Sequence, residues 1–388
     1  MSRASSSATL FVLIVSATVI GIAGTDLVLP AVPLLPGMLG GSIAEAQLVL
    51  AAFTAGAAVG LLAFGELAAR FDRRTLLIAS LIGYGLASAL CSLSTSLPML
   101  IGLRAVQGAA GSAAAVFAPG MIRNLYGDAR AVTKLGQLGS VESLTPALAP
   151  VLGLWLLAGF GWRASFDVLA VLAVLLGVAV ACWMAPLPPA PANGAHGYHR
   201  LLIRYPFMRQ ALSHAFTLGG LIVFVFGAPA VFTHNLGGTL TDFIVMQMCG
   251  VACFIVASNS AGALVRRFGA EPVILWGTLL SAAGGAGMLA YALAGGGDTR
   301  VITAIFLALN AGLGFRGPPG FHAAVVESRG DDARGAALVV LAILATASLG
   351  TAAVAPLIAG GLVPLAAAAA IITAAAAFLC LARPRISA

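Results

Sequence analysis

The sequence predicts an all-α membrane protein with twelve transmembrane helices in two pseudo-symmetric six-helix bundles. Two observations carry this prediction. Of the 388 residues, 60% are hydrophobic and 9% are charged, whereas soluble domains carry about 25% charged residues. The apolar residues also fall into runs of about 20, the length that crosses a bilayer as a helix. Strands of a membrane barrel would be about 10 residues long and would alternate in polarity, and these runs do not.

Charged, polar, glycine and proline residues divide the chain into apolar runs, each of which we predict to be one membrane helix. The first run follows Arg3 and is too long for the apolar part of a signal peptide, so we expect an uncleaved helix. Gly56 and Gly60 in the second run have the small-residue spacing that predicts close packing of helices in lipid. The twelve runs are 9–34, 45–66, 75–95, 98–121, 134–157, 165–186, 208–232, 241–264, 271–294, 300–321, 336–358 and 362–381.

The longest hydrophilic break separates six runs from six. It is rich in proline, glycine and small polar residues, which is typical of a flexible linker. We therefore predict an N-terminal six-helix bundle over 1–186, a cytoplasmic linker over 187–207 and a C-terminal six-helix bundle over 208–388.

A short repeat supports a duplication of the two halves. Arg70-Phe71 follows the second run, and Arg267-Phe268 follows the eighth. Repeated halves are typical of transporters that rock around a substrate site near the bilayer midplane.

The basic residues set the expected orientation. With the N-terminus in the cytoplasm, 16 of the 20 lysines and arginines fall in cytoplasmic segments, and Arg163 and Arg300 fall outside. The positive-inside rule then places both termini on the cytoplasmic side of a bacterial inner (plasma) membrane. This clustering also accounts for the net charge of +7 without nucleic acid, because no basic stripe with interleaved aromatics is present in the sequence.

Other functional classes lack their sequence signatures. The five cysteines and five histidines have no spacing typical of a metal site or a disulfide framework. The sequence has no phosphate-binding loop that would indicate direct use of ATP, and no clear nucleophile–base set. We therefore expect no enzymatic activity, cofactor or metal. The expected partners are the bilayer, a small-molecule substrate and protons, and we expect a monomer.

Two ionisable residues at comparable depth stand out in the first and fourth runs. Asp26 lies just before Pro30 and Pro33, which remove backbone donors and are expected to kink or break the first helix. Arg104 enters the membrane from the outside, and burying it without a partner would be costly. We expect the two side chains to approach each other. Asp26 is then either a structural partner of an arginine or a proton carrier whose partner comes and goes.

Glu142 and Arg316 are the other charges inside predicted spans. Glu142 lies near mid-membrane in the fifth run and is a second proton-site candidate, unless it is satisfied locally by Ser140, Ser143 or Thr145. Arg316 precedes two prolines among flanking glycines. That pattern favours a broken helix end with a structural role for the arginine.

Three segments resemble motifs of the major facilitator superfamily. The first, Gly65 to Arg74, is similar to the loop signature between helices two and three, but has Ala69 where the family has Asp and Asp72 where it has Gly. In the family that Asp belongs to a cytoplasmic charge latch that holds the outward-facing state, and Glu66 or Asp72 would have to replace it here. The gating-loop candidates are Gly65, Arg70, Asp72, Arg73 and Arg74.

The second and third segments lie in the fourth and fifth runs. Leu100-x-x-x-Arg104-x-x-Gln107-Gly108 resembles the family's fourth-helix motif, which is thought to take part in proton transfer. The stretch from Thr145 to Gly153 resembles the fifth-helix antiporter motif, in the form found in Bcr/CflA-type drug-resistance exporters. The antiporter-motif candidates are Pro146, Pro150 and Gly153.

The resemblance implies a major facilitator fold and a proton/drug antiporter that exports small amphipathic compounds by alternating access. Asp26 and Glu142 would carry protons, and Arg104 would tune Asp26. The substrate pocket is expected to be apolar with few polar groups. Candidates for its lining, chosen for depth and chemistry, are Gln107, Phe53, Phe117, Phe224, Gln247 and Asn310.

Two other functions remain open from the sequence. The chain could export a metabolite such as a nucleobase, sugar or amino acid derivative. It could also be a membrane-embedded enzyme or scaffold, although the repeated halves and the missing nucleophile–base set argue against that class.

Overall fold

The computed structural model describes residues 6–41, 43–185 and 197–382. Within these ranges the regular structure consists of α-helices and two short 3₁₀ helices, Leu29–Leu34 and Ala355–Gly360. The α-helices are α1 (Ser7–Asp26), α2 (Leu35–Leu39), α3 (Ile43–Leu67), α4 (Arg73–Ser92), α5 (Leu97–Gly111), α6 (Ala113–Tyr126), α7 (Asp128–Phe160), α8 (Arg163–Trp183), α9 (Tyr198–Ile203), α10 (Tyr205–His234), α11 (Leu240–Phe268), α12 (Ala270–Leu293), α13 (Thr299–Glu327), α14 (Asp332–Val354) and α15 (Leu362–Leu381).

Twelve helical segments in the described residues are long and apolar enough to cross a membrane, which confirms the predicted twelve spans. The fifth is longer than its apolar run of 134–157, because α7 begins at Asp128 and ends at Phe160. The fourth is divided into α5 and α6 at Ser112. The Ser112 hydroxyl donates to the backbone oxygens of Gly108 and Ala57 at this break.

The first span is broken at its prolines, as predicted. α1 ends at Asp26, and the chain continues as the 3₁₀ helix Leu29–Leu34, which contains Pro30 and Pro33. Proline has no backbone N–H, so Pro30 cannot donate to the Asp26 carbonyl four residues earlier. The end of α1 therefore coincides with the candidate proton carrier.

The expectation of a broken helix end at Arg316 is wrong. α13 runs without interruption from Thr299 to Glu327 and includes Pro318 and Pro319. These prolines leave the carbonyls four residues before them without helical donors. A membrane helix tolerates such a loss where neighbouring helices surround it, and α13 packs on both α11 and α12.

The described residues fall into two compact units. Unit 1 comprises those of Met1–Leu125, Val141–Gly197 and Arg329–Ala337, and unit 2 those of Tyr126–Ser140, Tyr198–Ser328 and Leu338–Ala388. The predicted bundle boundaries at 186 and 208 stay a prediction. Residues 187–196 of the predicted linker lie outside the described residues, and part of the remainder forms the short helix α9.

In unit 1, α3 packs along α5, α4 packs on α5 and α8, and α1 packs on α8. The closest approach is between α3 and α5. A Cβ atom on Gly56 would overlap the Ala105 carbonyl oxygen, and one on Gly108 would overlap the Phe53 carbonyl oxygen. The small-residue spacing predicted from the sequence is therefore confirmed as a helix-packing seam.

Unit 2 repeats this pattern of helix pairs within itself. α11 packs along α13, α12 packs on α13 and α15, and α10 packs on α15. Gly314 on α13 corresponds to Gly108 on α5. A Cβ atom on Gly314 would lie 2.8 Å from the carbonyl oxygen of Phe254 on α11. The recurrence of the pairs within each unit agrees with the predicted duplication.

Candidate functional site

Arg104 on α5 is fully buried in unit 1. Its Nε donates to the Val49 carbonyl oxygen at 3.2 Å, and its Nη1 donates to the Gly24 carbonyl oxygen at 3.0 Å and to Gln107 Oε1 at 2.6 Å. The expected ion pair with Asp26 is not formed among the described residues. Arg104 instead binds the main chain two residues before Asp26, so it holds the end of α1 rather than the carboxylate.

Gln107 and Ser88 complete what we call the Arg104 centre, together with Gly24, Val49 and the ring of Phe53. Gln107 Nε2 donates to Ser88 Oγ at 2.6 Å, and Ser88 Oγ donates to the Tyr84 carbonyl oxygen at 2.8 Å. A hydroxyl that donates to a carbonyl leaves its lone pairs free to accept from the amide. Each polar group therefore fixes the orientation of the next, from the backbone of α4 to the guanidinium.

Aromatic packing closes the Arg104 centre. The Phe53 ring lies 4.3 Å from the guanidinium carbon, a geometry in which the negative face of the ring stabilises the cation. A Cβ atom on Gly24 would overlap Tyr84 Oη and would lie 3.0 Å from the Phe53 ring. Glycine at position 24 is therefore required for α1 to approach this group.

Asp26 is half-buried at the end of α1. Among residues 6–41, 43–185 and 197–382 its carboxylate has no hydrogen-bond or ion-pair partner. An ionisable group without a partner in a membrane helix is expensive in its charged form.

Glu142 lies on α7 beside Thr18 of α1, whose hydroxyl donates to the Val15 carbonyl oxygen at 2.9 Å. The local alternatives weighed from the sequence did not include Thr18, because the pairing of α1 with α7 is not visible in the sequence. Thr18 precedes Asp26 by eight residues, or roughly 12 Å along a helix. One acid therefore ends α1 and the other lies beside it, at two different positions along the helix axis.

The antiporter-motif residues bring α7 against the broken end of α1. A Cβ atom on Gly153 would overlap the Leu27 carbonyl oxygen, and Ser165 of α8 donates a hydrogen bond of 3.2 Å to the same oxygen. Pro146 and Pro150 lie inside α7. Pro146 cannot donate to the Glu142 carbonyl, which repeats the relation between Pro30 and Asp26.

Three of the predicted pocket residues lie in unit 1. Gln107 and Phe53 belong to the Arg104 centre, so their polar atoms or ring faces are already engaged. Phe117 is buried and packs edge-on against Phe64, with ring centroids 6.1 Å apart. In this arrangement all three stabilise the unit.

The other three pocket candidates lie in unit 2. Phe224 stacks on Phe306 with ring centroids 5.7 Å apart, and Asn310 Nδ2 donates to the Phe306 carbonyl oxygen at 3.0 Å. Gln247 is half-buried, and its Oε1 has no hydrogen-bond partner in the described part of the chain. Among the three, Gln247 offers a free acceptor to a ligand.

The two acids in the segment from Gly65 to Arg74, one in the last turn of α3 and one at the start of α4, have different partners. Asp72 caps α4, since its Oδ2 accepts hydrogen bonds from the Thr75 backbone N at 2.9 Å and the Thr75 hydroxyl at 3.0 Å. Glu66 accepts a 2.9 Å hydrogen bond from Arg334 Nε. Of the two acids, Glu66 rather than Asp72 thus pairs with a cation that is distant in the sequence.

The remaining gating-loop candidates occupy different environments. Gly65 is buried, Arg70 is exposed and lies 3.9 Å from Glu66, and Arg74 donates to the Ala181 carbonyl oxygen. Arg73 is buried. Its Nη1 and Asp332 Oδ2 lie 3.2 and 3.6 Å from the Cβ position of Gly120, so this cation and this acid meet beside the glycine.

A charge cluster forms around the Glu66–Arg334 pair within unit 1. Arg334 Nη1 also donates to Asp331 Oδ1 at 2.8 Å, and Arg123 lies 3.4 Å from Asp332. We call Glu66, Arg123, Asp331, Asp332 and Arg334 the charge cluster. It joins the last turn of α3 and the end of α6 to the segment Arg329–Ala337, more than 200 residues away in the chain.

Comparison with known families gives one match over most of the chain. The family described as the Major Facilitator Superfamily matches residues 14–346. The match begins within α1 and ends within α14, so it contains the Arg104 centre, both acids and the charge cluster.

Two curated relatives carry names from drug resistance. The chain is 28% identical over 258 residues to the chloramphenicol resistance protein of Pseudomonas aeruginosa, over 66% of this chain and 61% of that protein. It is 25% identical over 218 residues to the multidrug resistance protein MdtL of Escherichia coli O81 (strain ED1a), over 55% of this chain and 56% of that protein. The matches therefore span less than two thirds of either relative.

Among solved structures, the chain is similar to FucP, described as a Major Facilitator Superfamily transporter in the outward conformation. The superposition has a TM-score of 0.75 with 16% sequence identity and covers 97% of this chain and 98% of that one. At this identity the likeness concerns the fold, and it confirms the predicted fold class.

Proposed function

Because this chain belongs to the Major Facilitator Superfamily, we propose that it exports small amphipathic drugs in exchange for protons, by alternating access. The names of the chloramphenicol resistance and multidrug resistance relatives support drugs as the cargo. The proposed setting is a bacterial plasma membrane with both termini in the cytoplasm, as the distribution of basic residues indicates. Fluorescence of a reporter protein fused to the C-terminus would test that orientation.

The observation that carries proton coupling is the Asp26 carboxylate, which has no partner among the described residues and lies two residues beyond the Gly24 carbonyl that Arg104 binds. An acid without a cation is held protonated in an apolar setting, and it releases its proton when a cation or water comes within reach. Arg104 donates to the backbone of α1 only two residues away. A shift of α1 that freed one guanidinium bond would therefore bring a cation toward Asp26.

Glu142 is proposed as the second proton carrier. It lies beside Thr18 of α1, the same helix that ends at Asp26. A movement of α1 would then change the surroundings of both acids together. Gln247 is proposed to accept a hydrogen bond from the drug, because its oxygen is buried without a partner among the described residues.

The charge cluster is proposed as the gating latch. Glu66 and Arg334 form a charge-assisted bond in place of the one that the family's aspartate makes. Alternating access requires such a bond to break and reform in each cycle, and the partly exposed Glu66 side chain makes it reversible.

The test is a comparison of Asp26→Asn with Asp167→Asn, an exposed acid in α8. Each variant is expressed in a strain lacking its own exporters for a drug-susceptibility panel, and then reconstituted into proteoliposomes with an imposed proton gradient. We expect the wild type and Asp167→Asn to confer resistance and to move unmodified drug with the gradient. Asp26→Asn is expected to bind drug without releasing protons.

Proton release that is unchanged in Asp26→Asn would remove this residue from the coupling mechanism. If the proton gradient drives the movement of a metabolite and no drug in the panel is exported, the proposed function would be wrong and the protein would be a metabolite exporter. Chemical change of the compound during the assay would contradict transport itself.

A further inference from the structure

Arg316 on α13 is fully buried in unit 2 and has neutral partners. Its Nε donates to Thr278 Oγ1 at 3.0 Å, and its Nη2 donates to Ser213 Oγ at 2.9 Å. Each of these hydroxyls donates its own hydrogen to a backbone carbonyl, Thr278 to Ile274 and Ser213 to Ala376. Arg316 Nη1 has no hydrogen-bond partner in the described part of the chain.

The charge of Arg316 is therefore poorly compensated. A guanidinium remains protonated in proteins, and a buried charge needs a partner to offset its loss of water. Arg104 in unit 1 receives more compensation. Although its Nη2 is also unbonded, two backbone carbonyls and an amide oxygen accept from it, and the Phe53 ring covers it. Arg316 has two hydroxyls and the Cys380 thiol that lies against both of them, with no carboxylate in ion-pair range among the described residues.

A second unsatisfied group lies beside Arg316. His214 is 5% exposed, and its Nδ1 has no hydrogen-bond partner among the described residues. The ring is held edge-on against Phe321, with ring centroids 5.4 Å apart. A Cβ atom on Gly320 would lie 3.4 Å from Arg316 Cζ and 3.5 Å from His214 Nδ1. Both unsatisfied side chains thus border the notch that Gly320 leaves open.

We propose that a small monovalent anion of the size of chloride binds between Arg316 and His214, in the notch beside Gly320. Arg316 Nη1 donates to the anion, and His214 donates through Nδ1 in the tautomer that carries hydrogen there. An anion satisfies both buried donors and balances the buried charge, whereas a water molecule would bridge the two groups and leave the charge uncompensated. The methyl-sized notch excludes larger organic anions.

A small cavity in unit 2 shares Cys380 with the surroundings of Arg316. It is lined by Arg209, Gln210, Glu271, Ile274, Leu275 and Cys380. The Cys380 thiol lies 3.1 Å from the Ser213 hydroxyl, which Arg316 binds. The positive charge of Arg209 attracts an anion into the cavity, and the negative charge of Glu271 disfavours its binding there. We therefore take the cavity as a route for the anion and the Arg316–His214 notch as its binding site.

The matched pair Gly320→Ala and Gly317→Ala tests the proposal. A methyl group at 320 would fill the notch at ordinary contact distances, whereas one at 317 would meet nothing within 4 Å. Both changes lie inside α13 and gain a similar helix propensity. The purified full chain is unfolded by heat in a series from sodium gluconate to sodium chloride at constant ionic strength. Arg316→Gln, which removes the charge, is measured beside them.

We expect the unfolding midpoint of the wild type and of Gly317→Ala to rise with the logarithm of chloride concentration. In Gly320→Ala and Arg316→Gln the midpoint is expected to be independent of chloride. Crystals grown in sodium bromide should show one anomalous peak between Arg316 and His214 in the wild type. An equal chloride response in Gly320→Ala and Gly317→Ala would mean that chloride acts at another place, and density without an anomalous signal between Arg316 and His214 would indicate a bound water. Either result would overturn the proposal.

Discussion

At the scale of single residues, Glu66 and Asp72 show how far spacing along the chain can identify a partner. Both lie close to Ala69, and the sequence offered either as the substitute for a missing aspartate. The structure engages Asp72 locally, as the cap of α4. It engages Glu66 with Arg334, which is 268 positions away. A local bond follows from three-residue spacing, whereas the distant partner depends on packing that the sequence does not display.

Replacing Asp72 should therefore affect stability through the helix cap. Asp72→Ala removes the acceptor for the first-turn N–H of α4, and loss of such a cap costs about 1 kcal/mol. Asp72→Ser keeps an acceptor at the same place and should stay close to the wild type. The midpoint of thermal unfolding in detergent measures the difference. A comparable loss in both variants would mean that the charge of Asp72, and not the cap, matters.

At the scale of helices, the sequence predicts that a membrane span exists better than it predicts whether the helix in that span is continuous. Twelve spans are predictable because a bilayer requires about 20 apolar residues for each. Proline has opposite outcomes in α1 and α13. α1 ends before Pro30, whereas α13 continues through Pro318 and Pro319. The flanking residues do not distinguish these cases, because continuity depends on helices that surround the proline from other parts of the chain.

The seam between α3 and α5 gives a prediction at this scale. Gly56→Ala would place a methyl group on the Ala105 carbonyl oxygen, which belongs to the backbone and cannot turn away. Overpacking of this kind costs about 1–3 kcal/mol, more than the roughly 1 kcal/mol that alanine gains over glycine in a helix. Gly102→Ala is the control, because its methyl group would meet nothing within 4 Å.

We expect Gly56→Ala to lower the midpoint of thermal unfolding and Gly102→Ala to leave it unchanged or raise it. The two substitutions have the same chemistry, and only the contact across the seam differs. Equal midpoints would mean that α3 and α5 separate easily, and the seam would then not hold unit 1 together.

At the scale of the whole molecule, the cost of charge in lipid made part of the site predictable. Asp26, Arg104 and Glu142 stand out because few ionisable residues lie inside the spans. Thr18, which lies beside Glu142, and Ser88, which accepts a hydrogen bond from Gln107, could not be identified, since small hydroxyls are common in membrane helices. The expected Asp26–Arg104 pair is not formed among the described residues, for a related reason. The Gly24 carbonyl near the end of α1 and the Val49 carbonyl of α3 accept from the guanidinium instead, and the sequence does not show where they point.

The charge cluster gives the prediction that concerns the molecule as a transporter. Glu66→Gln and Arg334→Gln each remove one partner of the 2.9 Å pair, so each should weaken the latch and lower drug export in proteoliposomes. Arg70→Gln is the matched control. Arg70 is exposed and lies 3.9 Å from Glu66, and exposed pairs of this kind contribute about 0–1 kcal/mol.

Coupling between Glu66 and Arg334 is measured by the double variant. If the two residues act through one bond, the export rate of Glu66→Gln with Arg334→Gln should equal that of the more impaired single variant, because the second change removes nothing further. If the losses of export rate in the two single variants add up in the double variant, Arg334 acts through Asp331 and Glu66 acts through another partner. Wild-type export in all three variants would mean that the pair breaks without consequence, and the gate would then have to lie with Arg123 and Asp332.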